Sequence, residues 1–126
     1  MLVESTAVHG FQVLRIKDDL SVNSDISEIK PIVHEYLQQG ITKIALAFSR
    51  DSYLYTRSIA VLVQCLEMIN ERKGVLAIFQ PNEDILDMLA AISFDTRVLI
   101  ALSENDLAVK SEAFAHSYND ATKASD

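Results

Sequence analysis

The chain has 126 residues, a length that fits one compact domain and leaves little room for two. Hydrophobic residues make up 49% of it, enough to bury a sizeable core, which excludes global disorder. The formal net charge of −7 argues against nucleic acid and against an anionic membrane surface, since both are met by Lys and Arg gathered on one face.

In chain order, residues 2–8 and 11–16 are predicted as strands, with His9-Gly10 as the tight turn of a hairpin. Residues 21–24 are polar and turn-like. Ile26, Ile29, Val33 and Leu37 then recur at helical spacing, and Gly40 caps the end of that helix. Pro31 is compatible with a helix that begins near Ser27, because first-turn amides have no acceptor within the helix. The run KIALAFS (residues 43–49) is continuous and apolar, the pattern of a strand covered on both faces.

After a polar, aromatic stretch without periodicity, residues 57–73 give the strongest helical pattern, ended by Gly74. Its expected core face is Ile59, Leu62, Val63, Leu66 and Ile69. Arg57, Gln64, Glu67 and Glu71 face solvent, with Val61 and Met68 beside Gln64. Residues 75–79 form a further buried strand. Pro81-Asn82 opens a helix with Ile85, Leu86, Leu89 and Ile92 inward, and residues 97–102 are the last strand. Ser103 and Asp106 approximate a capping box for a final helix to about Phe114. The expectation is an α/β fold of order ββαβαβαβα, a mixed and mostly parallel sheet in one domain over residues 1–116. A polar tail, residues 117–126, is expected to fray.

Residues that could carry catalysis are sparse. His9, His34 and His116 fall in a turn, a helix and the tail, and none has a second ligand at metal spacing, so no metal or cofactor is expected. Cys65 is the only cysteine, so an internal disulfide is excluded, and its apolar helical neighbours make it a small buried hydrophobe. Three scattered glycines cannot build a phosphate loop. A phosphoaspartate receiver domain is set aside because KIALAFS ends without a carboxylate. An enzyme or small-molecule binder would need an acid/base pair that the sequence does not offer. No run approaches the ~20 apolar residues that span a bilayer, and the first residues carry no basic segment followed by an apolar one. A cytoplasmic location without membrane insertion is therefore expected.

The remaining signal lies in residues 49–58, which carry the hydroxyls of Ser49, Ser52, Thr56 and Ser58 beside Tyr53 and Tyr55. With Val61 and Met68 behind them, these residues form an expected docking face. Thr56 is read as the N-cap of the helix. It is also a hydroxyl where free amides and the dipole would stabilise an added phosphate, with Arg57 adjacent.

The segment KIALAFSRDSYLYTRSIAVLVQCLEMINERKGVLAIFQPNEDILDMLAAISF, together with FQVLRIKDDLS before it, resembles the STAS domain of bacterial anti-sigma-factor antagonists in element order and spacing. The resemblance runs from about Phe11 to Leu107. It implies a regulatory, non-enzymatic domain that binds a protein partner, either an anti-sigma kinase or another STAS protein. It also implies a phosphoacceptor serine in an Asp-Ser-Ser-Gly turn before the second helix. Here that turn is Tyr55-Thr56-Arg57-Ser58, and Ala60 stands where the family has a further glycine. Thr56 is thus the candidate phosphoacceptor, ahead of Ser58 and Ser52. Tyr53, Tyr55, Arg57, Ser58, Val61, Gln64 and Met68 are the candidate partner contacts. The resemblance equally admits an unphosphorylated structural subunit of a stressosome or lipid-transporter complex, and a homo-oligomer.

Overall fold

The computed structural model describes residues 1–112. The elements are β1 (Val3–Val8), β2 (Phe11–Ile16), α1 (Ile29–Gln38), β3 (Lys43–Phe48), α2 (Thr56–Glu71), β4 (Val75–Phe79), α3 (Glu83–Ala91), a 3-10 turn at Phe94–Thr96 and β5 (Leu99–Ala101). Residues 104–112 are again helical. The expected element order is therefore present, in one α/β domain. The expected end near Phe114, His116 and the polar tail lie outside the described residues.

The five strands stand in sequence order, with β1 antiparallel to β2 and all other neighbours parallel. Both turn residues of the opening hairpin, His9 and Gly10, have positive φ, which matches the twist of a two-residue hairpin. Sequential parallel strands with right-handed crossovers put every connecting helix on one face. The core divides accordingly. Ile44, Leu46 and Phe48 of β3 meet α1, α2 and α3 on one side, while Ala45 and Ala47 share the other with Phe11, Val13, Phe79 and Leu107. Small side chains on that second face have a use: Arg15 reaches across Ala47, its registered neighbour, to stack 5.3 Å from the centre of the Phe79 ring two strands away.

Helix ends follow backbone chemistry in detail. Gly40 has φ +83, with its N–H bonded to Leu37 and that of Ile41 to Tyr36, a paired C-terminal cap as expected. At the end of α2 the left-handed residue is Lys73 (φ 56), and Gly74 is the residue after it. Gly74 is needed for another reason: a Cβ there would lie 2.2 Å from the Thr42 carbonyl oxygen. Ser103 caps the last helix by accepting from the Asp106 N–H at 3.0 Å, and the Asp106 carboxylate accepts from Leu102 N–H, one residue earlier than a capping box requires.

Three expectations need correction. On α2 the buried residues are Ser58, Val61, Leu62, Cys65, Leu66 and Ile69, with Ile59 and Val63 half-buried. The buried arc is turned toward α1, which packs alongside α2, so Val61 is core and not solvent-facing. On α3, Met88 takes the core place expected of Ile92, because the helix ends at Ala91 and the turn at Ser93 leaves Ile92 45% exposed; Leu86 is half-buried. The last strand spans three residues, since Arg97 belongs to the turn bonded back to Phe94.

Cys65 is fully buried as expected, and burial pushes its thiol from 9.0 up to about 11. The folded value exceeds the unfolded one, so this contribution to stability is complete below pH 9 and is lost as pH rises toward 11. Between pH 8 and 10.5 the thiol is expected to remove about 2 kcal/mol of unfolding free energy. Urea titrations at the two pH values check this, with Cys65→Ala showing a smaller fall than the wild type.

Candidate functional site

The candidate surface lies at the carboxyl ends of the parallel strands, where residues 49–55 leave β3 and enter α2. Four side chains clamp this loop. Ser49 donates to the Asp19 carboxylate and lies 2.7 Å from the Ser52 hydroxyl, which accepts from the Leu20 N–H at 2.8 Å. A hydroxyl has a single proton, and that of Ser49 goes to Asp19. The Ser52 hydroxyl has two acceptors for its own proton, the Ser49 oxygen at 2.7 Å and the Asp18 carbonyl at 3.3 Å, so the loop is tied to the Asp18–Leu20 segment through both its backbone and the Asp19 carboxylate. The loop backbone adds Tyr53 N–H to the Leu20 carbonyl.

From the other side, Asn82 holds the same loop. Its amide donates to the carbonyls of Arg50 (3.0 Å) and Ser52 (2.8 Å), while its oxygen caps α3 through Ile85 N–H at 2.8 Å. Leu54, 1% exposed, plugs the loop into the core. These contacts force the residues on either side of Leu54 outward. Tyr53 and Tyr55 emerge together, ring centres 4.9 Å apart and edge to face.

Tyr55, in extended conformation, is the N-cap of α2 and gives no side-chain capping bond; the cap was expected at Thr56. Thr56 is instead the first helical residue, and it is exposed. Arg57 follows it, also exposed, close enough to the loop before α1 to act on Asp25. The Ser27 N–H, then the Ser27 hydroxyl, hold the Asp25 carboxyl below its ordinary value, helped by the charges of Arg57 and Lys30. The first turn of α2 contains no acidic residue. Arg57 and the open amides therefore leave its start electropositive in an otherwise acidic chain.

Tyr53, Tyr55, Thr56, Arg57 and Gln64 thus share the exposed side of this end of the molecule, and Met68 is half-buried farther along α2. Ser52, Ser58 and Val61 do not join them. Ser52 is 2% exposed and committed to the clamp, Val61 is core, and Ser58 is 1% exposed. Its Oγ is the one buried side-chain polar atom without a hydrogen-bond partner among the described residues. None of the three is available to a partner or a modifying enzyme in this conformation. Sequence reasoning missed the clamp itself: Asp19 and Asn82 have ordinary roles at a strand exit and a helix start, and only the fold brings them to one loop.

No group of side chains among the described residues could hold a metal ion, and no helix there is long and apolar enough to cross a membrane. No family model and no curated protein matches the sequence. Solved structures do. The chain is similar to the NMR structure of the protein TM1081, with 25% identity and a TM-score of 0.65 over 79% of this chain and 80% of that one. It is also similar to the crystal structure of a "putative anti-sigma factor antagonist" (TM1081) from Thermotoga maritima, with 23% identity and a TM-score of 0.61 over 78% of this chain and 84% of that one. The fold is STAS-like.

Proposed function

We propose that this chain is a non-enzymatic regulatory domain of the anti-sigma-factor-antagonist kind. It binds a protein partner through residues 50–57 and the adjoining outer side of α2. The observation that carries this reading is the clamped loop, which directs Tyr53 and Tyr55 outward beside the exposed Thr56. A preformed aromatic patch binds with little ordering cost. The similar solved structure described as an anti-sigma factor antagonist supports the same reading.

The switch is Thr56. A phosphate there would add a charge of about −2 on the helix start, beside Arg57. In the modified state it would engage the open amides and the Arg57 guanidinium. A partner that had used those groups would lose them and meet a dianion instead. Thr56→Glu is expected to weaken capture of the native partner from host extract roughly tenfold while Thr56→Ala binds normally, and mass spectrometry of the native protein should find phosphate on Thr56. Equal capture by Thr56→Glu and wild type would sink the switch; capture untouched by Tyr53→Ala with Tyr55→Ala would sink the surface. The exposed aromatic pair also favours a second reading, a permanent subunit contact without phosphorylation. A constitutive complex on sizing chromatography would select it.

A further inference from the structure

Among the described residues the outer edge of β1 is open. The main-chain Lys17 N–H bonds to the Leu2 carbonyl. In the β1–β2 register this means that residues 2, 4, 6 and 8 spend their main-chain groups on β2. Val3, Ser5 and Ala7 therefore direct their N–H and C=O groups away from the sheet. Among the described residues β1 pairs with β2 alone, and residues 4–7 are exposed. The strand has no proline and no bulge to blunt it. The opposite edge differs: β5 has three residues, and Lys110 Nζ donates to the Ile100 carbonyl at 2.7 Å.

We infer that the partner of this edge is a second copy of the chain, joined antiparallel about Ser5 so that two sheets become one of ten strands. The outward groups must meet outward groups, which restricts the pairing to steps of two residues. Centred on Ser5, the ribbon pairs Val3 with Ala7, and Ser5 with Ser5, on the face toward α1. On the other face it pairs Glu4 with Thr6 and the exposed Leu2 with the half-buried Val8. Every apolar residue meets an apolar one and every polar residue a polar one, because Leu2-Val3-Glu4-Ser5-Thr6-Ala7-Val8 is palindromic in character about its centre. Centring on Glu4 would set two carboxylates face to face. Centring on Thr6 would set Glu4 against Val8. Of these three registers, that centred on Ser5 is the one that avoids both conflicts. About six main-chain hydrogen bonds would form, and Leu2, 59% exposed, would gain cover. This contact is made by β1 and uses none of residues 49–55, so it stands independently of the function proposed above.

Thr6 is exposed, so changing its charge tests the register without disturbing the core. In a dimer centred on Ser5, Thr6→Lys places a lysine opposite Glu4 twice over and is expected to tighten dimerisation roughly fivefold. Thr6→Glu places like charges there and is expected to weaken it by a similar factor. Sedimentation equilibrium on the full chain and both variants, at low and high salt, reads this directly. A wild type that stays monomeric up to about millimolar concentration overturns the proposal. So does a dimer whose affinity neither substitution moves.

Discussion

Gly74→Ala is expected to be the most damaging single-methyl change in the chain. The added Cβ would stand 2.2 Å from the Thr42 carbonyl oxygen and 2.9 Å from Cγ2 of Ile69. Neither neighbour can move away freely. The Thr42 carbonyl accepts the Val75 N–H at 2.9 Å beside the start of the β3–β4 pairing, and Ile69 is fully buried. Relief would have to come from separating two central strands or lifting the end of α2. A cost on the order of 3 kcal/mol follows, at the upper end of overpacking effects, with a fall in melting temperature of roughly 10 °C. Gly40→Ala supplies the contrast. Gly40 has a positive φ, yet no atom of the described residues lies within 4 Å of the Cβ it would acquire. Only the left-handed backbone is penalised there, about 1–2 kcal/mol. If thermal melts rank the two variants in the reverse order, close approach is not what fixes glycine at position 74.

The two glycines also mark how far the sequence could be read. Both announce a helix end, and both helices end there. Only spatial proximity shows that one serves backbone conformation and the other the space between strand and helix. The same division runs through the rest of the chain. Element order, the hairpin and the two-sided burial of β3 were legible because they depend on local periodicity and turn chemistry. The buried arc of α2 was not, because hydropathy at 100° per residue assumes a single neighbour and α1 adds a second. Val61 was assigned to the surface on that assumption, and Ser58 as one of the loop hydroxyls. At the loop, the hydroxyls and tyrosines were legible as a group. Which of them turn inward depends on Leu54 seating in the core and on partners about thirty residues away in sequence: Asp19, Leu20 and Asn82. The N-cap assignment failed for a related reason. Thr56 has good capping chemistry, but the clamp fixes Tyr55 in the extended conformation that begins the helix.

Asn82→Ala is expected to free the loop while leaving the fold standing. The side chain contributes three hydrogen bonds, one capping α3 and two holding the carbonyls of Arg50 and Ser52. Losing the cap costs about 1 kcal/mol, and the two loop bonds about 1 kcal/mol each. The total is roughly 3 kcal/mol if both carbonyls fail to find water, and less for Arg50, which is exposed. Asn82→Asp separates the two functions. A carboxylate still accepts from Ile85 N–H and suits a helix start, but it cannot donate and would face two carbonyl oxygens. It is therefore expected to keep α3 intact and to release the loop as fully as Asn82→Ala does. Hydrogen exchange reads the difference: in both variants the Ser52 and Tyr53 amides, bonded to the Ser49 and Leu20 carbonyls, should lose protection, while Ile85 should lose it only in Asn82→Ala. Because Tyr53, Tyr55 and Thr56 are presented by this clamp, partner affinity should fall in both variants although neither touches the exposed surface. Protection at Ser52 and Tyr53 unchanged in Asn82→Asp would mean that the hydroxyl chain from Leu20 to Asp19 holds the loop without help from α3.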